Sequence, residues 1–284
     1  MKKIFCIILC CSLIFIGCKK NNKNDGTGKS YPVKFNVSLF TQTITPLTLN
    51  SSQNQYKTNA LGTFALSDII DNLTYCVYDA NGKLLHRVQS THASTDFGTI
   101  KDSLTPGTYT IAIIGAKTGI AVNDSYFTYN EREWKDTFFK KFSITVTNSN
   151  STINVALNRI VTQIELNIQD APSPHTRLYV QIRGELSAYS ILQDKPTGGG
   201  VGEQYSLVVK PNPVFTFINT VSPFDIDIHI TEPNDDDFRT IYGVSCQKDT
   251  RTIVSGNFFT AGGGNGFNIT INQGFAADTI KKGF

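Results

Sequence analysis

One methionine and one tryptophan stand among the 284 residues, so the chain holds neither a Met-rich nor a Trp-rich recognition surface. An excess of one charge is missing too. Lysine and arginine number 26 against 23 acidic residues. Residues 1–17 hold Lys2 and Lys3 and no acid, so without them 24 basic residues face 23 acidic ones. Such a balance supplies no electrostatic footprint for nucleic acid. Long helical periodicity is absent, because no 12-residue stretch repeats its apolar positions at the helical spacing. The apolar run IFCIILCCSLIFIG covers 14 residues, too few for a permanent membrane span. Cysteine is sparse beyond the first 18 residues, where only Cys76 and Cys246 remain. An envelope location would permit a disulfide, but these two fall in different expected domains and read as buried free thiols. No further ligands lie near either one for a metal site.

The signals that carry known chemistries are missing as well. No Gly-x-Ser-x-Gly occurs, and no Ser, His and Asp grouping is poised for nucleophilic attack. The runs Gly198-Gly199-Gly200-Val201-Gly202 and Gly262-Gly263-Gly264-Asn265-Gly266 open no helix and precede no Gly-Lys-Ser/Thr. They read as hairpin loops rather than phosphate cradles. Glu232 and Asp235-Asp236-Asp237 lack the alternating ligands and turn glycine of a calcium loop. Asp225, Asp227 and His229 share one strand face and read as solvent-facing polar residues. No catalysis, metal or cofactor is expected.

The amino terminus is informative. Lys2 and Lys3 precede the apolar run, and Gly17 is a small residue just before Cys18. This is a signal-peptide pattern. It resembles a bacterial lipobox, in which the cysteine is acylated and becomes the first mature residue; Phe15 stands where that pattern prefers Leu. The resemblance implies a signal peptide over residues 1–17 and lipidation at Cys18. Residues 18–31 are then a polar, Asn/Gly-rich tether to the outer membrane.

The mature chain is dominated by alternation with a period of two. Phe35, Val37 and Leu39 share one face, as do Tyr109, Ile111 and Ile113. Ile153, Val155 and Leu157 repeat the pattern, and Ile164, Leu166 and Ile168 follow. Asp225 to Ile230 alternates without a break, and Phe267, Ile269 and Ile271 close the series. Strands with one apolar and one polar face belong to antiparallel sheets. Asn81-Gly82, between TYCVYDA and KLLHRV, suits a type I′ hairpin turn. Ser67 to Leu73 and Glu133 to Lys140 suit at most a short helical turn each. Many short strands punctuated by Gly, Pro and Asn predict an all-β fold of sandwiches. The strands STINVALN and RIVTQIELNIQD adjoin at Asn158-Arg159, and their joint length exceeds one strand. That places a boundary between a first sandwich, residues 32–158, and a second, residues 159–284.

Aromatic residues gather between Tyr126 and Phe139. If exposed, Tyr126, Tyr129 and Trp134 form a platform for a glycan; packing under a long loop is the commoner fate of such residues.

Four segments, Val155 to Leu166, Val77 to Leu84, Leu104 to Ile111 and Thr252 to Phe259, resemble fimbrillins and fimbrial-anchor lipoproteins of Bacteroidetes. Val155 to Leu166 is similar to the interdomain step of that group, in which a strand ends at a polar-Arg pair and re-enters as the next strand. Val77 to Leu84 and Leu104 to Ile111 resemble its aromatic-Asp-x-Asn-Gly hairpin and Pro-Gly-x-Tyr strand entry. Thr252 to Phe259 resembles a strand of its second domain. The resemblance implies two transthyretin-like sandwiches and a role in anchoring or assembling surface fimbriae, with a fimbrial subunit as partner. It also implies joining by strand exchange, in which a neighbour's strand fills a groove left by a removed amino-terminal strand. Stalk subunits of the group are cut by an arginine-specific protease, yet this chain has no arginine before Arg87. Retention of lipid and first strand suits an anchor. On this reading Phe35, Val37 and Leu39 fill their own groove, and Phe267, Ile269 and Ile271 lie near the terminal edge. The alternative is a glycan-binding surface lipoprotein.

Overall fold

A computed structural model describes residues 28–39, 65–129, 134–170, 177–199, 203–208, 214–219, 223–229, 238–257 and 268–273. Among the described residues the order of elements is first β1 (Tyr31–Leu39), a short helix α1 (Leu66–Ile69), β2 (Asn72–Tyr78), β3 (Leu84–Thr91) and β4 (Thr99–Leu104). It continues through β5 (Gly107–Ala116), β6 (Ile120–Val122), β7 (Tyr126–Tyr129), β8 (Thr137–Val146) and β9 (Ser151–Arg159). Next come β10 (Thr162–Ile168), β11 (Arg177–Arg183), β12 (Ala188–Ser190), β13 (Lys195–Thr197) and β14 (Glu203–Val208). The remaining strands are β15 (Val214–Ile218), β16 (Phe224–His229), β17 (Phe238–Val244), β18 (Thr250–Gly256) and β19 (Asn268–Gln273). The fold is all-β, as the period-two alternation predicts. Ser67 to Leu73 contributes the short helix, whereas the second expected turn yields to β8 from Thr137 onward.

Seven strands before Arg159 run in the order β3-β2-β5-β8-β9-β1-β4. The bond between β8 and β9 is slight, two residue pairs at Phe138–Arg159 and Phe139–Asn158. The sheet folds over at that corner, so β9-β1-β4 faces β3-β2-β5-β8 as a sandwich. Its core draws Val33 and Phe35 from β1, Tyr75 and Val77 from β2, Ile111 and Ile113 from β5, and Leu157 from β9. The same arrangement recurs after Arg159. There β15-β10-β18-β19 faces β14-β11-β16-β17, around Ile164, Val180, Ile182, Ile226, Ile228 and Val254. In each half the first strand lies antiparallel to one neighbour and parallel to the other: β1 with β4 and β9, β10 with β15 and β18.

Each half also carries one inserted hairpin, β6-β7 in the first and β12-β13 in the second. The two insertions pair with each other through β7 and β12, making a small sheet in the order β13-β12-β7-β6. Residues on both sides of Arg159 thus share one sheet. This layer lies against the outer face of β2, β5 and β8 and buries it, with Cys76, Tyr78, Ala112 and Ile114 packed against Phe127, Tyr189 and Ile191. The middle strands are therefore buried on both faces, and the alternation of Tyr109, Ile111 and Ile113 marks only one of them. Gly115 sits where β5 is tightest: a Cβ there would stand 2.6 Å from Ile70 Cδ1 and 3.1 Å from Leu157 Cδ1.

The β2–β3 hairpin departs from the expected turn. Type I′ needs positive φ at both central residues, but only Gly82 takes it, at 79°. Instead the Asp79 carboxylate accepts the Asn81 and Lys83 amides at 2.8 and 2.9 Å, and Gly82 donates its N–H to the Asp79 carbonyl. The result is a three-residue loop with a glycine bulge, selected by the Asp79 side chain.

Candidate functional site

The first-strand groove is built from β1 and its two neighbours. β1 exchanges backbone bonds with β4 from Tyr31–Leu104 to Asn36–Thr99, and with β9 from Val33–Ser151 to Leu39–Leu157. Alternation turns Val33 and Phe35 inward, where Phe35 is fully buried. Its ring lies 5.3 Å from that of Tyr75 and 6.1 Å from that of Phe142. Val37 and Leu39 continue the same face, half-buried against the same core. Pro32, Lys34 and Ser38 alternate outward and are exposed.

Beside the groove, Asp102 on β4 accepts the Tyr75 hydroxyl at 2.9 Å and bonds His86 Nε2 at 2.8 Å. Burial, reinforced by the nearby Asp102 charge, pushes the Tyr75 phenol well above its ordinary pKa. The three groups close the open edge between the facing sheets at β3 and β4. Nothing in the sequence pattern announced them, because their spacing follows from the sheet order rather than from any motif.

The second part of the expected groove lies elsewhere. Ile269 and Ile271 are on β19, opposite Val254 and Thr252 of β18, at the edge of a different sheet from β1. Phe267 is outside the described residues, as is Cys18, the residue expected to be lipidated. The structure thus does not bring Phe35, Val37 and Leu39 together with Ile269 and Ile271.

The expected aromatic platform is corrected. Trp134 is 2% exposed and Tyr129 6%, and only Tyr126, at 39%, reaches solvent. The reason is the small sheet: β12, some 60 residues later in sequence, covers these rings. Trp134 stands edge-on to Phe127 and Tyr129, with centroids 6.2 and 5.1 Å away, and donates its indole N–H to the Leu186 carbonyl at 3.1 Å. Tyr129 bonds the Thr137 hydroxyl. Both rings are core, and no sugar can stack on them.

The face of Asp225, Asp227 and His229 is also not the solvent-facing surface expected. Asp227 is buried, and its carboxylate accepts from Arg183 Nε and from the Thr240 hydroxyl. No group of three metal-ligating side chains occurs among the described residues. Cys76 and Cys246 form no disulfide, and the first is buried and the second half-buried. Burial pushes each thiol up to about 11.

Between the halves sits an ion cluster. Arg159, last residue of β9, grips Asp136 through Nε and Nη2 at 2.6 and 3.0 Å and reaches Asp249 through Nη1 at 2.9 Å. Asp136 belongs to the first half and Asp249 to the turn before β18. Asp249 holds a left-handed backbone, φ 60°, which Asp tolerates better than most residues. Burial opposes the charge on Arg159, yet the two carboxylates outweigh it and its pKa is raised. Ile160 and Val161, the only residues between β9 and β10, are buried in the shared aromatic core. The polar-Arg step seen in the sequence is therefore a packed joint. Its partners, 23 and 90 residues away, left no local signal.

No curated protein sequence matches the chain. Among solved structures, the fimbrial anchor protein Mfa2 from Porphyromonas gingivalis is similar over 86% of this chain and 97% of its own, with TM-score 0.50 and 10% identity. A candidate adhesin from Bacteroides thetaiotaomicron is similar over 86% and 96%, with TM-score 0.50 and 11% identity. At such identities the likeness speaks for the fold alone. The family model of Fimbrillin-A associated anchor proteins Mfa1 and Mfa2 matches residues 40–238, well over half of the 284 residues. The chain belongs to the family of Fimbrillin-A associated anchor proteins.

Proposed function

We propose that this protein is a non-enzymatic accessory subunit of surface fimbriae, held to the outer membrane by acyl chains on Cys18. Its two sandwiches, residues 32–158 and 159–284, are tandem units, and it engages a fimbrial partner by β-strand addition. The observation that carries this reading, beside family membership, is the place of β1. It is an amino-terminal strand hydrogen-bonded on both sides, between β4 and β9. Loss of such a strand would open a slot with two rows of free backbone donors and acceptors and a pocket where Phe35 had been. An incoming strand gains affinity from those rows and register from its alternate side chains. A subunit that keeps β1 has its own slot filled. That suits the base of a fibre, where the chain gives a contact without receiving a strand at this position. Among the described residues β19 pairs with β18 alone in its sheet, and its outer edge is the place on this reading where a partner strand adds.

The experiment is to shear fimbriae from cells and read the mature amino terminus of this protein by mass spectrometry in fibre and membrane fractions. Fibre-subunit partners on a chain starting at acylated Cys18 are the expected result. A fibre-associated chain trimmed beyond residue 30 makes it a polymerised subunit instead. Absence from all fibres overturns the fimbrial role.

A further inference from the structure

On the face turned toward the small sheet, β2 and β3 change character along their length. Near the hairpin this face carries Cys76 and Tyr78, buried in the aromatic core. Two pleats further it carries Thr74 and then Asn72, with Gln89 and Thr91 opposite them on β3. The cover also ends here, because β6 starts only at Ile120. Between the layers opens a cleft of about 260 Å³, lined by these four residues with Ser94 and Ile120.

Two features restrict what fits. None of the residues lining the cleft is charged; the adjacent Asp71 is engaged by Lys117 at 3.2 Å and faces His92 at 3.6 Å. A charged guest would find no counter-ion in the lining, and an apolar guest would strand its amides and hydroxyls. The lining instead offers both donors and acceptors. Thr74 is almost wholly buried, and among the described residues its hydroxyl meets only Gln89 Nε2 at 3.4 Å, the long limit of a hydrogen bond. The volume falls below that of pockets for drug-sized ligands, which leaves room for one ring rather than a chain.

We infer that this cleft binds one neutral sugar ring, with its hydroxyls bonded to Asn72, Thr74 and Gln89 and its C–H face against Ile120. The site adjoins the aromatic core through Ile120 but shares no residue with the β1 groove, so it stands independently of strand addition.

The test is ligand-observed NMR on the full mature chain carrying Cys18→Ala, titrated with glucose, galactose, mannose or N-acetylglucosamine. The expected result is binding of at least one of them with a dissociation constant of about 1 mM. Thr74→Val and the exposed-site variant Gln89→Ala should each weaken it about tenfold, the share of one or two good hydrogen bonds. Tyr242→Ala, on a distant exposed residue, should leave it unchanged. Gln89→Ala alone decides the matter where Thr74→Val fails to fold. No binding by any of the four sugars, or binding that survives Gln89→Ala undiminished, means that water alone fills the cleft and overturns the assignment.

Discussion

The two halves share a strand order, and they differ in how their first strand enters it. β1 arrives from the amino-terminal side with exposed Pro32, Lys34 and Ser38 on its outer face. β10 arrives from Arg159 through two buried residues, and its outer-face Gln163 and Glu165 are buried and bonded to Arg251 at 2.9 and 3.3 Å. The same slot therefore holds a strand attached at one end to a polar segment in one case and a strand fixed by a packed joint in the other. Topology alone does not decide which strand can be exchanged; the covalent and polar surroundings do.

The most direct way to break the comparison is to remove the inward anchor from each first strand. Phe35→Ala should cost about 3–5 kcal/mol in urea unfolding, and Ile164→Ala about 2–5 kcal/mol. If exchange is confined to β1, only Phe35→Ala should also speed proteolytic release of the amino-terminal strand. Equal release of both strands would erase the distinction. Arg159→Leu comes next. It leaves Asp136 and Asp249 largely buried without their cation, and should cost about 3 kcal/mol. Separate melting of the halves in calorimetry would be its signature, and a single unchanged transition would show that the joint is held by apolar packing alone. Gly115→Ala should cost about 1–3 kcal/mol by overpacking against Ile70 and Leu157, read as a lowered midpoint with an unchanged slope.

The smallest effect concerns the thiols. Both are pushed up to about 11, so the reactive thiolate is scarce at pH 8 in the native protein. Iodoacetamide should leave Cys76 and Cys246 unmodified until denaturant is added. The half-buried Cys246 should be the first to react as pH rises, and rapid native labelling of Cys76 would contradict its burial.

The strands were legible in the sequence because a half-buried strand writes its own period. Phe35, Val37 and Leu39 point where alternation puts them, and Ile164 and Leu166 do the same. The turn at Asn81-Gly82 was legible in place but not in type, since the Asp79 side chain chose between geometries that both accept Gly82. What local pattern could not supply is the pairing of β7 with β12. That contact joins two insertions from different halves, and it decides the fate of Tyr129 and Trp134. An aromatic run reads alike whether a distant strand covers it or not. The polar cleft was equally hidden, for Asn72, Thr74, Gln89 and Thr91 look like ordinary outward positions until the fold sets Ile120 beside them.

The parallel pairing of β1 with β9 has a mechanical consequence. If the chain is held by its amino-terminal segment, as proposed, a pull there draws β1 toward its own start, while a load on the second half draws β9 toward its end at Arg159. The two strands run in the same direction, so these opposed forces slide one along the other. Their bonds are then loaded together in shear rather than peeled one at a time. Under tension the lifetime of the attachment is set by the rate at which this whole row gives way, not by the equilibrium stability of the fold. A cell-surface subunit subject to flow would be gripped most firmly along the axis on which it is pulled.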